Sequence, residues 1–190
     1  MIFRGSRGLV GWVVVLLALA VSAPVHAEWE KGVAAYSSKD YATAVKEFEE
    51  VTKTNPDFAG GYYMLGLAQQ AQNQLAPAVA NLRKAVELDG ANASYQVALG
   101  QALLRTKEYR QAYGLMKSLD MGSMEAKYRS SYALLFAQAA TKTNRNGEAI
   151  QVLNGQIRAD GNNARLYQAL GGGWTGGEAA APPAAAPAGR

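Results

Sequence analysis

Between Gly61 and Gly90 the chain reads GYYMLGLAQQAQNQLAPAVANLRKAVELDG, and this stretch decides the fold. Tyr63, Leu67 and Gln70 share one stripe, and Tyr62, Leu65 and Ala68 recur on a neighbouring one. That spacing is helical and not the alternation of a strand. Asn73-Gln74 interrupts it. Leu75, Val79, Leu82 and Val86 then mark a second helix, with Pro77 in its first turn, where a missing N–H does no harm. Asp89-Gly90 ends that helix, the glycine being suited to a left-handed cap. The unit is a pair of helices joined by a tight turn.

The unit recurs. Ala44, Ala78 and Ala112 are 34 residues apart, as are Gly32, Gly66 and Gly100. Phe48, Leu82 and Met116 keep the same interval, and so do Val51, Ala85 and Leu119, and Tyr41, Leu75 and Tyr109. A fourth copy is displaced, because Ala149 and Leu153 lie 37 after Ala112 and Met116. The extra residues are expected near Asp120-Met121-Gly122-Ser123. A fifth copy begins with Tyr167, Leu170 and Gly171. Lys39-Asp40 and Lys107-Glu108 stand in the same tight turn as Asn73-Gln74, with Asp40 a good N-cap. Pro56 stops the second helix of the first copy. A helical glycine costs about 1 kcal/mol against alanine. Close approach of paired helices would compensate, with Gly32, Gly66 and Gly100 facing Ala44, Ala78 and Ala112.

These motifs resemble the tetratricopeptide repeat, whose signature is W-x2-L-G-x2-Y, then A-x3-F, then P. The chain shows Tyr62-x2-Leu65-Gly66 with Ala78-x3-Leu82, Leu99-Gly100 with Ala112-x3-Met116, and Gly32 with Ala44-x3-Phe48 and Pro56. Gln69 replaces the signature tyrosine, and Phe136-Ala137 replaces Leu-Gly in the fourth copy. The resemblance covers residues 28–171. It implies an all-α fold: a right-handed α-solenoid of antiparallel helix pairs, about four repeats plus a terminal helix. It also implies the family's usual role of binding protein segments in a concave groove.

The ends read differently. Arg4 and Arg7 precede an apolar run from Leu9 to Val21, and Val25 and Ala27 supply small residues before Glu28. That is the pattern of a secretory signal peptide over residues 1–27, cleaved between Ala27 and Glu28. The run is shorter than the roughly 20 apolar residues of a membrane span. An exported bacterial protein, periplasmic or secreted and without membrane attachment after cleavage, is expected. Residues 172–190 form a Gly/Ala/Pro-rich tail that cannot bury enough apolar surface to order itself. Trp174 is expected to pack back on the last helix.

Composition excludes much chemistry. The 190 residues contain no Cys and a single His, His26, which the cleavage removes. Thiol nucleophiles, Ser-His arrangements and Cys-ligated zinc are thereby absent. No phosphate loop and no dinucleotide fingerprint occur. No catalytic residue, metal or cofactor is expected, and the chain reads as non-enzymatic. Cleavage takes Lys+Arg from 19 to 17 against 15 Asp+Glu, so the net charge falls from +4 to +2 and gives little support to nucleic-acid binding. Charge is uneven: residues 28–58 carry seven acids and four bases, and residues 101–145 eight bases and three acids. Tyr109, amid Arg105, Lys107 and Arg110, shares a column with Tyr41 and Leu75 and reads as core.

What remains is a groove. In the family the first helix of each pair lines it. The matching stripe is Trp29, Val33 and Tyr36, then Tyr63, Leu67 and Gln70. It continues through Val97, Gln101, Leu104 and Arg105 to Leu134, Gln138, Thr141 and Lys142. A family subset grips a C-terminal carboxylate with Lys, Asn and Arg. The corresponding places here hold Trp29, Val33, Met64, Ser94 and Ala98, so that clamp is absent. The expected function is a scaffold of the cell envelope that binds a protein or peptide segment. The alternative is a membrane-anchored or envelope accessory subunit supporting polysaccharide or peptidoglycan assembly or secretion.

Overall fold

The computed structural model describes residues 26–159 together with Ala169. The basic start and most of the apolar leader, the fifth copy around Tyr167 apart from Ala169, Trp174 and the 172–190 tail lie outside the described residues. The described secondary structure is helical throughout. Helix α1 occupies residues 26–37, followed by α2 (Tyr41–Thr54), α3 (Ala59–Ala71), α4 (Leu75–Leu88) and α5 (Ala93–Arg105). Then come α6 (Tyr109–Lys117), α7 (Ala126–Lys142) and α8 (Asn146–Ala159). Odd-numbered helices are the first members of pairs and even-numbered helices the second.

The within-pair turns share one conformation. Lys39, Asn73, Lys107 and Asn144 take positive φ values of 64°, 61°, 64° and 62°. In each turn the next N–H reaches back five residues at 2.8 Å: Asp40 to Ala35, Gln74 to Gln69, Glu108 to Leu103 and Arg145 to Ala140. This is the closure that satisfies the last carbonyls of a helix while reversing the chain. Asp40 is the N-cap of α2, its carboxylate accepting the Thr43 N–H at 3.1 Å. Gly90 does not adopt the left-handed conformation expected of it. The chain leaves α4 extended at Asp89, with φ of −143°, and Asn92 starts α5 by accepting the Ser94 N–H at 3.0 Å.

The repeated columns form the core. Ala44, Ala78, Ala112 and Ala149 are all 0% exposed, as are Phe48, Leu82, Met116 and Leu153. The glycines do not face the alanines, as the sequence suggested, but the large residue four positions later. A Cβ on Gly32 would lie 2.6 Å from Phe48 Cε1, and one on Gly66 would lie 2.6 Å from Leu82 Cγ. One on Gly100 would collide with Met116 Cε. Each glycine is therefore the hole that receives a knob from the second helix. The Ala78 carbonyl does come close, at 3.2 Å from the same Gly66 position.

The displaced fourth copy has a local cause. Helix α6 has 9 residues where α4 has 14, and α7 has 17 where α3 and α5 have 13. The extra residues enter at the 120–124 turn, as the spacing predicts. Asp120 Oδ1 accepts the Gly122 N–H at 2.8 Å, and Arg129 donates to the carbonyls of Met124 at 2.9 Å and Gly122 at 3.1 Å.

The chain divides into two compact units at Tyr95/Gln96, inside α5. In the first, α3 packs on both α2 and α4, and Trp29, Val33, Tyr36, Val45 and Met64 pack around the buried Ala35, Ala44, Phe48, Leu65 and Ala68. In the second, α7 packs on α6 and α8. There Tyr132 donates to the Met116 carbonyl at 2.7 Å, and Phe136 contacts both Tyr113 and Tyr132 at ring separations of 5.7 and 6.1 Å.

Candidate functional site

The first-helix residues singled out from the sequence fall into columns that run through the repeats. Trp29, Tyr63, Val97 and Leu134 are all half-buried. In the next column Val33 and Leu67 are half-buried, while Gln101 and Gln138 are exposed. Tyr36 is half-buried and Thr141 exposed, but Gln70 and Leu104 between them in the series are only 6% and 8% exposed. Gln70 and Leu104 belong to the packed interior of their own units. Arg105 and Lys142, at the helix ends, are exposed.

Within the first unit the row is aromatic. Trp29 lies against Phe48 at 5.5 Å and edge-on to Phe58 at 5.1 Å. Phe58 is itself 36% exposed and comes from the loop before α3. Tyr36 meets Tyr41 edge-on at 5.5 Å, and burial followed by the charge of Tyr41 raises the pKa of its phenol. Tyr63 meets Tyr95 at 4.7 Å. Tyr95 was not among the sequence-predicted residues, because it lies outside the stripe marked by helical spacing. Burial, and then Asp89, raises the pKa of its phenol.

Within the second unit the corresponding helices carry amide and charge. Below them, on α6 and α8, Glu148 accepts from the Tyr113 phenol at 2.7 Å and from Lys117 at 3.2 Å. Lys117 also donates to the Tyr113 oxygen at 2.8 Å. The Tyr113 phenol chiefly, with Lys117 and Arg145, holds the Glu148 carboxyl below the ordinary carboxylate range. The Arg145 guanidinium lies over the Tyr113 ring, 4.5 Å from its centre. Among the described residues no group of His, Cys, Asp and Glu is placed to hold a metal ion. No described helix is long and apolar enough to cross a membrane.

Residues 71–156 match the family described as "Anaphase-promoting complex, cyclosome, subunit 3". Heat shock protein STI1 of Saccharomyces cerevisiae is 36% identical over 90 residues, which are 47% of this chain and 15% of that protein. The TPR2B domain of yeast Sti1, solved in complex with pHsp70, superposes with a TM-score of 0.58 at 21% identity over 63% of this chain and 98% of that one. The chain has the tetratricopeptide-repeat fold. Two further tetratricopeptide-like solved structures share the fold. MamA aligns with a TM-score of 0.70 at 19% identity, over 79% of this chain and 80% of that one. Pseudomonas aeruginosa pilF aligns at 0.66 and 16% identity, over 80% and 68%. Tetratricopeptide arrays expose extended surfaces and serve as interaction scaffolds, and this chain is one of them.

Proposed function

We propose that this scaffold works in the bacterial cell envelope, non-enzymatically, by taking a protein segment onto its first-helix surfaces. The observation that carries the reading is that the equivalent first-helix positions stay half-buried in each unit, Trp29 and Tyr63 in the first and Val97 and Leu134 in the second. A globular chain completes its core with fully buried residues, and here these include the Ala44/Ala78/Ala112/Ala149 and Phe48/Leu82/Met116/Leu153 columns and first-helix alanines such as Ala68, Ala102 and Ala133. A repeated column of large residues that stays partly open instead suits apolar anchors of a ligand. The Sti1 TPR2B domain, solved with pHsp70, gives a precedent for peptide recognition by this fold. The absence of the carboxylate-gripping residues directs this chain towards a different segment.

Export rests on the basic start, the apolar run and the Val25-His26-Ala27 ending. The mass of the protein recovered from cells tests it: a chain beginning at Glu28 supports export, and an intact N-terminus supports the anchored alternative. Peptide binding is tested by screening purified protein against peptide arrays. Tyr63→Ala is expected to weaken a captured peptide by about 2 kcal/mol if Tyr63 is a hot spot. Glu87→Ala, exposed on a second helix, should leave affinity unchanged. Glycan binding in place of peptide binding would move the function to the polysaccharide alternative.

A further inference from the structure

A cleft of about 620 Å³ opens in the second unit, lined by the start of α6 and the α7–α8 turn. Its walls carry Lys107 and Arg110 from one side and Lys142 and Arg145 from the other, with Glu108 as its single carboxylate. All four bases are exposed. Lys107, Arg110 and Lys142 form no ion pair among the described residues. Glu108 accepts a hydrogen bond from the Thr106 hydroxyl at 2.8 Å. Arg145 is held in place by the Tyr113 ring and by the Thr143 carbonyl, to which it donates at 3.1 Å, with Glu148 at 3.9 Å. The two turns that present these groups are fixed by their five-residue backbone closures at 2.8 Å. Tyr109 adds a half-buried ring to the lining.

Four cations, against Glu108 in the lining and Glu148 beside Arg145, leave the cleft net positive and raise the local concentration of negative ligands. The turns on both sides of the cleft are fixed by these backbone closures, and its lining carries one aromatic ring, Tyr109. A single-stranded nucleic acid would call for a series of stacking rings, and only one is present in the lining. We propose that this cleft is a second binding site, separate from the first-helix row, and that it takes an acidic peptide segment whose Asp or Glu side chains pair with Lys107, Arg110, Lys142 and Arg145. Lys142 is the one residue of the row that the cleft shares. The within-pair turns would thus supply an electrostatic site, and the first-helix column an apolar one.

The test is fluorescence anisotropy of labelled octaglutamate with the purified protein, at low and at near-physiological salt. Saturable, salt-sensitive binding is expected, weakened about tenfold by Lys107→Glu with Arg110→Glu. Lys107→Ala with Arg110→Ala gives a smaller loss and guards against misfolding. Lys31→Glu with Lys46→Glu makes the same change of charge on exposed positions of α1 and α2 and should leave binding within about twofold. Tyr63→Ala should also leave octaglutamate binding unchanged, which separates this site from the first-helix row. Equal weakening by the α1 and α2 pair would mean non-specific charge attraction and overturn the proposal. So would octaglutamate failing to bind at low salt. Should the purified protein self-associate through this cleft, seen as a dimer that Lys107→Glu with Arg110→Glu dissolves while octaglutamate binding is unchanged, the proposal would also be overturned.

Discussion

Gly66→Ala isolates the knob-into-hole contact on which each repeat depends. On an isolated helix, replacing glycine by alanine stabilises by about 1 kcal/mol. In the fold, the new methyl would stand 2.6 Å from Leu82 Cγ, 3.0 Å from Leu82 Cδ2 and 3.2 Å from the Ala78 carbonyl oxygen. Leu82 is 0% exposed and branched at the contacting atom, so rotation cannot clear the space, and the carbonyl belongs to the backbone of α4. Overpacking of this kind costs about 1–3 kcal/mol, and the propensity gain offsets part of it. The expected net change is a loss of about 1–2 kcal/mol. Gly100→Ala should cost less, because it meets the terminal methyl of Met116, the most flexible of the three knobs. Gly114→Ala and Gly155→Ala, in helices with nothing within 4 Å of the new atom, should stabilise by about 0.5–1 kcal/mol. Urea denaturation followed by circular dichroism reads all four. A raised midpoint for Gly66→Ala, matching that of Gly114→Ala, would refute the packing.

Lys107→Gly should stabilise by about 0.5–1 kcal/mol, since φ of 64° strains a side-chain-bearing residue, and it should also weaken octaglutamate binding; thermal denaturation and anisotropy on one preparation check both. Tyr113→Phe keeps the ring but removes the phenol that chiefly depresses Glu148, so the Glu148 pKa should rise towards the ordinary range in a carboxyl NMR titration, and no movement would discount that hydrogen bond. Asp40 is likewise depressed, by the Thr43 side chain and then its N–H. Its stabilisation is therefore complete above the ordinary carboxylate range and lost as pH falls through its folded value, so Asp40→Ala should flatten that part of the acid denaturation curve. Trp29→Ala should lower stability by about 2 kcal/mol, because the indole contacts both Phe48 and Phe58; unchanged stability with lost peptide binding would make it purely a ligand contact.

The helix pairs and their intervals were legible because small residues recur only where helices touch, and columns such as Ala44, Ala78 and Ala112 therefore survive in the sequence. The insertion was legible for the same reason, since Ala149 and Leu153 fall three residues late. The glycine partner was misread because Ala and Phe/Leu/Met lie one helical turn apart, and periodicity alone does not tell which of them meets the glycine. Gly90 was misread because a glycine after a helix need not be its left-handed cap when the chain can leave extended. Phe58 over Trp29 was hidden because Phe58 sits in a loop outside every column. The basic cleft was hidden because its walls, near 107–110 and 142–145, are distant in sequence. Its signals were the excess of bases over residues 101–145 and the turn positions that Lys107 and Glu108 share with Asn144 and Arg145. Tyr109, read as core, is half-buried and lines that cleft.

Site-specific photocrosslinking in the native cells tests the scaffold most directly. A photoreactive residue is placed in turn at Val33 and Tyr63 on first helices, and at the exposed Lys46 and Glu87 on second helices. The first two positions should crosslink to the same protein, at the same segment of it when the adducts are mapped, and the last two should not. Crosslinks confined to Lys46 and Glu87, or spread equally over all four positions, would contradict binding through the first-helix surfaces.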